Sequence, residues 1–231
     1  MPATTTTCTW GIADRLVSVT AMAQRTTSFQ DDYWNGPGGQ KTFTHPVRWG
    51  WLDGLATDAS ILDYGSGYGR LVAEFTQRGH TGVRGVDPAA TMVHRGVRDG
   101  LALQVMVDPP SVPDSIPPAD LVLLFAVLTC VPSDDDQRAL IAAAWQAVRP
   151  GGLLYIADFL QIEGSDRYRT MRPDSTPYGT FTTSDGAVLR HHTSEHLDEL
   201  VGGRPVRRER LALTTMNGNA AAGYQLLARK E

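Results

Sequence analysis

Two cysteines, Cys8 and Cys130, are all that a chain of 231 residues carries. So few build no disulfide framework, and a reducing, cytoplasmic setting is the expectation. Basic runs are missing as well: 21 Lys and Arg stand against 25 Asp and Glu, a net charge of -4. Without a concentrated positive field to neutralise phosphates, no nucleic-acid partner is expected. No stretch approaches the roughly 20 apolar residues that cross a bilayer, so no membrane partner is expected either. The start, Met1-Pro2-Ala3-Thr4-Thr5-Thr6-Thr7, lacks the basic end and apolar core of a secretory leader. No internal repeat is visible. What remains is ordinary: 42% hydrophobic and 20% charged residues exclude a wholly disordered or fibrous chain, and the length suits one core.

Three stretches differ in character. Residues 1–28 are rich in Thr and Ala with a weak helical pattern in Ile12, Leu16, Val19 and Met22, and are expected to form a mobile arm. Residues 29–58 concentrate Tyr33, Trp34, Phe43, Trp49 and Trp51 around the break Gly36-Pro37-Gly38-Gly39, the composition of a lid. From 59 to 231 apolar runs of strand length alternate with helical segments, the signal for parallel strands joined by crossover helices. Strands are expected at 61–64, 83–86, 101–107, 121–126 and 153–159. Helices are expected at 68–78, from Pro88 to Gly100, and from a Ser133 cap to Val148, before Arg149-Pro150-Gly151-Gly152. Leu121 to Ala126 is uninterruptedly apolar, as befits a central strand covered on both faces. The stretch 160–192 is irregular, polar and aromatic, and is assigned to the substrate side with Tyr168, Tyr178 and Phe181 as pocket candidates. Ser194 can cap a short helix, and residues 206–216 and 221–230 flank Asn217-Gly218-Asn219, a hairpin signal.

The chemistry concentrates at Asp63-Tyr64-Gly65-Ser66-Gly67-Tyr68-Gly69, where the first strand turns into the first helix. Glycines there permit positive φ and close approach of a ligand to the backbone, at the sheet edge where α/β proteins bind nucleotides. Asp87 closes the second strand, where a carboxylate can accept from two ribose hydroxyls. Pro88 and Met92 follow it and are counted with the cofactor side. The spacing is Gly-x-Gly-x-Gly and not the dinucleotide Gly-x-Gly-x-x-Gly, which leaves a nicotinamide-dependent oxidoreductase as the alternative enzyme. A protein that binds the cofactor without turnover is the alternative outside catalysis.

With these motifs the chain resembles the class I S-adenosylmethionine-dependent methyltransferases. The resemblance rests on Leu62 to Gly69, on Gly85-Val86-Asp87-Pro88, on Ala119-Asp120-Leu121-Val122-Leu123 and on Arg149-Pro150-Gly151-Gly152, and covers about 58–159. It implies an α/β, Rossmann-like three-layer sandwich whose seven-stranded, mostly parallel sheet ends in an antiparallel C-terminal hairpin. It implies S-adenosyl-L-methionine as cofactor, with Gly65, Ser66, Gly67 and Gly69 at its methionine end. Asp87 would hold the ribose, Asp108 would meet the adenine amine, and Phe125, Ala126 and Val127 would lie along the cofactor. Tyr33 and Trp34 are available to bury the sulfonium, and Arg48 to pair with the cofactor carboxylate.

Methyl transfer from a sulfonium is an in-line displacement, for which positioning supplies much of the acceleration. For a phenol or alcohol acceptor a general base helps, and His191 or His192 is the candidate. The acidic balance and the aromatic wall segments point to a small aromatic or heterocyclic metabolite as substrate. His192-Thr193-Ser194-Glu195-His196 also matches the zinc pattern His-x-x-Glu-His, but a helix capped at Ser194 leaves His192 outside it, and no metal is expected. Oligomeric state is left open, a homodimer included.

Overall fold

The structure, a computed structural model, describes residues 29–202, 204–215 and 218–231. The arm expected over 1–28 and Asn217 of the expected turn lie outside the described residues. Helix α1 (Asp31–Asn35) and short 3-10 turns at Pro37–Gln40 and Trp49–Trp51 bracket an extended segment. From Lys41 to Arg48 burial alternates along that segment: Lys41, Phe43, His45 and Val47 turn inward, while Thr42, Thr44, Pro46 and Arg48 turn outward. This two-residue period of extended chain selects which side chains reach the interior.

The remaining elements follow in order: β1 (Ser60–Tyr64), α2 (Arg70–Gln77), β2 (Gly82–Asp87), α3 (Ala90–Arg98), β3 (Leu103–Val105) and β4 (Ala119–Phe125). Then come α4 (Asp134–Ala147), β5 (Val148–Leu160), α5 (Arg167–Thr170), β6 (Thr180–Thr182), β7 (Val188–Arg190), α6 (Ser194–Val201), β8 (Arg204–Thr214) and β9 (Ala220–Arg229). Seven strands form one sheet in the order β3-β2-β1-β4-β5-β9-β8. The first five are parallel, and β9 lies antiparallel between β5 and β8. The order reverses between β1 and β4, and that reversal opens the crevice at their carboxyl ends.

Alternation along the strands builds two cores. Ile61, Leu121, Leu123, Phe125, Tyr155 and Ala157 face one way, against Leu71, Val72 and Phe75 of α2. Leu62, Val122, Leu124, Leu154 and Ile156 face the other, against Leu140, Ile141 and Ala144 of α4 and Leu197 and Val201 of α6. A sheet apolar on both faces needs cover on both, hence the Rossmann-like three-layer sandwich.

Four expectations shift. β3 is only Leu103–Val105, with Val107 90% exposed past its end. β5 begins at Val148 because Val148 pairs with Ala119 and the Gly151 N–H reaches the Lys230 carbonyl at 3.1 Å, so Arg149-Pro150-Gly151-Gly152 is absorbed as a register shift. The α6 cap is Thr193, whose hydroxyl accepts the His196 N–H at 3.1 Å, and Ser194 is already helical. The stretch 160–192 is less irregular than its composition suggests, since β6 and β7 pair as a hairpin across Asp185-Gly186. The Ser133 cap of α4 is as expected, its hydroxyl accepting from the Asp136 N–H. Among the described residues no helix is long and apolar enough to cross a membrane.

Candidate active site

Between β1 and α2 the chain turns through Gly65, Gly67 and Gly69 with φ of 78°, 55° and 87°. This left-handed region strains any side chain. Space is short as well: a Cβ on Gly65 would clash with Val127 at 2.5 Å, and one on Gly67 would press on the Met92 sulfur at 3.2 Å and Phe43 at 3.3 Å. The Gly65 and Ser66 N–H groups pin the loop by donating to the Val86 carbonyl at 2.8 and 3.0 Å. The Ser66 hydroxyl is buried with no partner.

Asp87 ends β2 beside this loop and accepts the Gly67 N–H at 2.7 Å and the Ala89 N–H at 2.8 Å. Burial pushes its pKa up to about 6, against the pull of those two N–H groups. Each carboxylate oxygen keeps a further lone pair for a ligand donor. Asp63, buried in β1, is pushed by burial to about 7, with Arg70 opposing.

A first cleft of about 600 Å³, almost wholly apolar, opens here. Trp34, Gly65, Gly67, Asp87, Pro88, Met92, Phe125, Ala126 and Val127 line it, as do Phe43 of the aromatic stretch and Met106 and Pro109, which nothing in the sequence marked out. Asp63, Ser66 and Gly69 belong to the strand and loop behind it. Asp108 is not in the lining, where its neighbour Pro109 stands instead. Tyr33 packs edge-on against Trp34, with ring centroids 4.9 Å apart, and its hydroxyl turns away to Asp185 at 3.0 Å. Arg48 is a correction: it lies on the outward side of the extended segment, and its guanidinium pairs with Glu209 of β8, Nε to Oε2 at 2.7 Å. Its charge is engaged on the surface, away from the glycine loop.

A second cleft, about 930 Å³, adjoins the first and shares Trp34, Phe43, Ala126 and Cys130 with it. Phe159, Phe181, Leu189 and His191 give it aromatic and apolar walls, with His45, Thr129 and Arg167 among its polar groups. Ala126, at the junction, holds φ 56° with its N–H bound to the Ala157 carbonyl at 2.7 Å. A non-glycine residue in that region is strained, and such strain concentrates at functional sites. Cys130 donates its thiol to the Ala126 carbonyl at 3.3 Å, and burial raises its pKa, so it is a wall residue and not a nucleophile.

The histidines separate. His191 lines the second cleft, and its Nδ1 lies 2.9 Å from the Tyr168 hydroxyl. That hydroxyl also accepts the Ile162 N–H at 3.0 Å, and giving its own proton to Nδ1, with the imidazole proton on Nε2, is the arrangement that leaves no buried hydroxyl proton unanswered. Burial brings the His191 pKa down to about 3, leaving the ring neutral. His192 is a correction. It lines neither cleft, its Nε2 meets the Gln137 amide nitrogen at 2.9 Å, and Gln137 Oε1 in turn lies 2.9 Å from His196 Nε2. The two histidines of the zinc pattern thus bracket one glutamine, and among the described residues no His, Cys, Asp and Glu cluster could hold a metal. Tyr168 backs His191 from outside the lining, Phe181 lines the cleft, and Tyr178 is 53% exposed and stands apart from it.

His45, Thr129 and Arg167 went unnoticed in the sequence. For His45 a signal exists: Lys41, Phe43, His45 and Val47 share one parity, and an extended segment crossing a cleft sends one parity inward.

Comparison with known proteins agrees with this architecture. A family model described as a methyltransferase domain matches residues 49–200. No curated protein matches the sequence. Among solved structures, an S-adenosylmethionine-dependent methyltransferase from Methanosarcina mazei is 22% identical with a TM-score of 0.71, over 80% of this chain and 99% of that one. The 1,6-didemethyltoxoflavin-N1-methyltransferase of Burkholderia thailandensis is 21% identical with a TM-score of 0.59, over 97% and 93%. Magnesium protoporphyrin IX methyltransferase from Synechocystis PCC 6803 is 15% identical with a TM-score of 0.59, over 89% and 100%. The fold is that of the Rossmann-like methyltransferases. With two thirds of its length matched by the family model, the chain belongs to the methyltransferase-domain family, within the class I S-adenosylmethionine-dependent enzymes.

Proposed function

We propose that this chain methylates a small planar acceptor, an aromatic or heterocyclic metabolite. The observation that carries the reading is the pair of clefts meeting at Trp34, Phe43, Ala126 and Cys130. One is apolar and ends at the glycine loop and Asp87; the other sets aromatic walls, Phe159 and Phe181, beside polar groups such as His45, Thr129, Arg167 and His191, a makeup that suits a small molecule with both a ring and hydrogen-bonding groups. The residues of the first cleft suit S-adenosylmethionine. Gly65 and Gly67 bring bare backbone to the cleft wall, and Asp87 has lone pairs for two ribose hydroxyls. The cofactor supplies a methyl group activated on a sulfonium.

The chain's own contribution is to bind, orient and exclude water. Gly65, Ser66, Gly67 and Gly69 hold the amino-acid tail and Asp87 the ribose. Met92, Phe125, Ala126 and Val127 enclose the remainder. Residues 29–58 serve as lid: Trp34 and Phe43 wall both clefts, while Gln30 ties the segment down through the Cys130 and Val188 carbonyls at 2.7 and 2.9 Å. Residues 160–192 form the acceptor wall through Phe181 and His191, with Tyr168 fixing the His191 ring. Alignment in a water-poor cleft is worth several orders of magnitude in rate. That one similar structure holds 1,6-didemethyltoxoflavin together with S-adenosylhomocysteine supports a small acceptor here.

Calorimetric titration with S-adenosylhomocysteine, then incubation with methyl-labelled S-adenosylmethionine and a panel of hydroxylated and N–H heteroaromatic compounds, tests the proposal. Binding followed by label in a small product is expected. Label moving only into added protein or RNA, or a protein that binds the cofactor and methylates nothing, would refute it.

A further inference from the structure

His45 is 1% exposed, lines the second cleft, and neither of its ring nitrogens makes a well-formed hydrogen bond; the Asp158 carbonyl is an acceptor near enough to favour its N–H. A neutral imidazole carries one N–H and one lone pair, and a lone pair buried unanswered costs its desolvation. Natural structures tolerate this rarely, and most readily where a ligand completes the bonds. The other cleft histidine is unlike it, since His191 already spends Nδ1 on Tyr168.

The ring is held in place without help from those nitrogens. Arg70, directly after Gly69, donates to the His45 carbonyl at 2.7 Å, and Phe159 packs edge-on with centroids 4.4 Å apart. Phe43, two residues earlier on the same inward side, lies against Gly67. His45 therefore lines the acceptor cleft one inward residue beyond Phe43, which stands at the junction of the two clefts. The Thr129 hydroxyl, also buried without a partner, lines the same cleft. Arg167 lies over Phe181 at 5.2 Å, with no ion pair among the described residues.

We propose that His45 grips the hydroxyl or ring N–H of the acceptor and takes its proton as the methyl group arrives, so that the substrate is a phenol or an N–H heterocycle. The inference rests on the acceptor cleft proposed above and names the substrate class for it. The acceptor's lone pair forms the bond to the methyl carbon, and the carbon–sulfur bond breaks with its electron pair passing to sulfur. The acceptor's proton goes to the imidazole, so the positive charge of the sulfonium ends on His45, which returns the proton to water when product leaves. Burial, with Arg70 adding to it and the Asp158 carbonyl opposing, lowers the His45 pKa to about 3, which leaves the ring neutral before the acceptor binds but a weak base, so the proton passes late, once the forming bond to the methyl carbon has made the acceptor strongly acidic.

The test uses para-nitrophenol, in mildly acidic buffer where it keeps its proton, and para-nitroanisole, which carries a methyl group in place of that proton, titrated into the full chain saturated with S-adenosylhomocysteine. The wild type should prefer the phenol by about tenfold or more, the penalty for leaving a hydrogen-bonding site unanswered. His45→Phe should erase that preference while binding S-adenosylhomocysteine as before. His45→Gln should keep part of the preference, because an amide oxygen still accepts the hydrogen bond, yet lose kcat on para-nitrophenol with KM little changed. Equal affinity of the wild type for both probes, binding of neither, or a preference that survives His45→Phe overturns the proposal while leaving the cofactor site standing. A wild type that fails to bind S-adenosylhomocysteine removes the cofactor site and this inference together.

Discussion

Asp87 and Ala126 show single residues held at a cost where ligands are expected. Asp87 is a carboxylate kept from water, with its pKa near 6 where an unfolded chain would have about 4. Above that lower value the unfolded chain ionises first, so this charge opposes folding at pH 7. Asp87→Asn is therefore expected to leave the melting temperature unchanged or raised, while S-adenosylhomocysteine affinity falls by about tenfold or more because one ribose acceptor is lost. Calorimetry and thermal melts on the same sample separate the two effects. Ala126 holds left-handed backbone at the junction of the clefts. Replacing alanine by glycine inside an ordinary element loses about 0.5–1 kcal/mol. Here Ala126→Gly should lose nothing, whereas Ala126→Val should destabilise markedly, as urea denaturation would show.

Among the elements, the extended segment from Lys41 to Arg48 does most to shape the site, and it does so by parity. Phe43 on its inward side lies with Met92 beside Gly67 and walls both clefts, so as part of a lid it would slow a ligand's entry to the loop. Phe43→Ala is expected to raise the association rate of S-adenosylhomocysteine severalfold in stopped-flow fluorescence; an unchanged rate would mean that the segment is no lid. Helix α6 depends on its Thr193 cap, which answers the His196 N–H. Thr193→Ala should lower stability by about 1 kcal/mol, and loosen the start of the helix that carries Leu197 into the core.

Across the whole molecule, buried ionisable groups set opposing pH dependences. Asp63, Asp87 and Asp158 have pKa values raised by burial to about 7, 6 and 7. Each favours the folded chain in mild acid, and that advantage is lost as pH rises from about 4 through the folded values. His45 and His191, lowered by burial to about 3, work the other way. The unfolded chain takes up their protons below about pH 6.5 and the folded one does not, so each costs about 2 kcal/mol of stability between pH 7 and pH 5. Asp158→Asn should therefore gain stability over the wild type at pH 7 and lose that gain by pH 4. His191→Gln should lose less than the wild type on going from pH 7 to pH 5. Melts across this range check both signs.

Alternating apolar runs, the Ser133 cap and the glycine spacing after Leu62 are local facts of covalent geometry and periodicity, so the parallel sheet and the place of Asp87 at the end of β2 beside the glycine loop could be read from one dimension. Arg48 and His192 could not be placed that way, and for His45 the shared parity with Phe43 and Val47 tells only that the three face one way. A charged side chain near an aromatic cluster looks equally available whichever way it points, and which parity faces inward is decided by a core that the sequence does not contain. Packing turned Arg48 out to Glu209, spent His192 on Gln137, and left His45 in the cleft wall with its ring lone pair unanswered. Hydrogen-bond satisfaction between residues far apart in sequence is a property of the assembled chain alone.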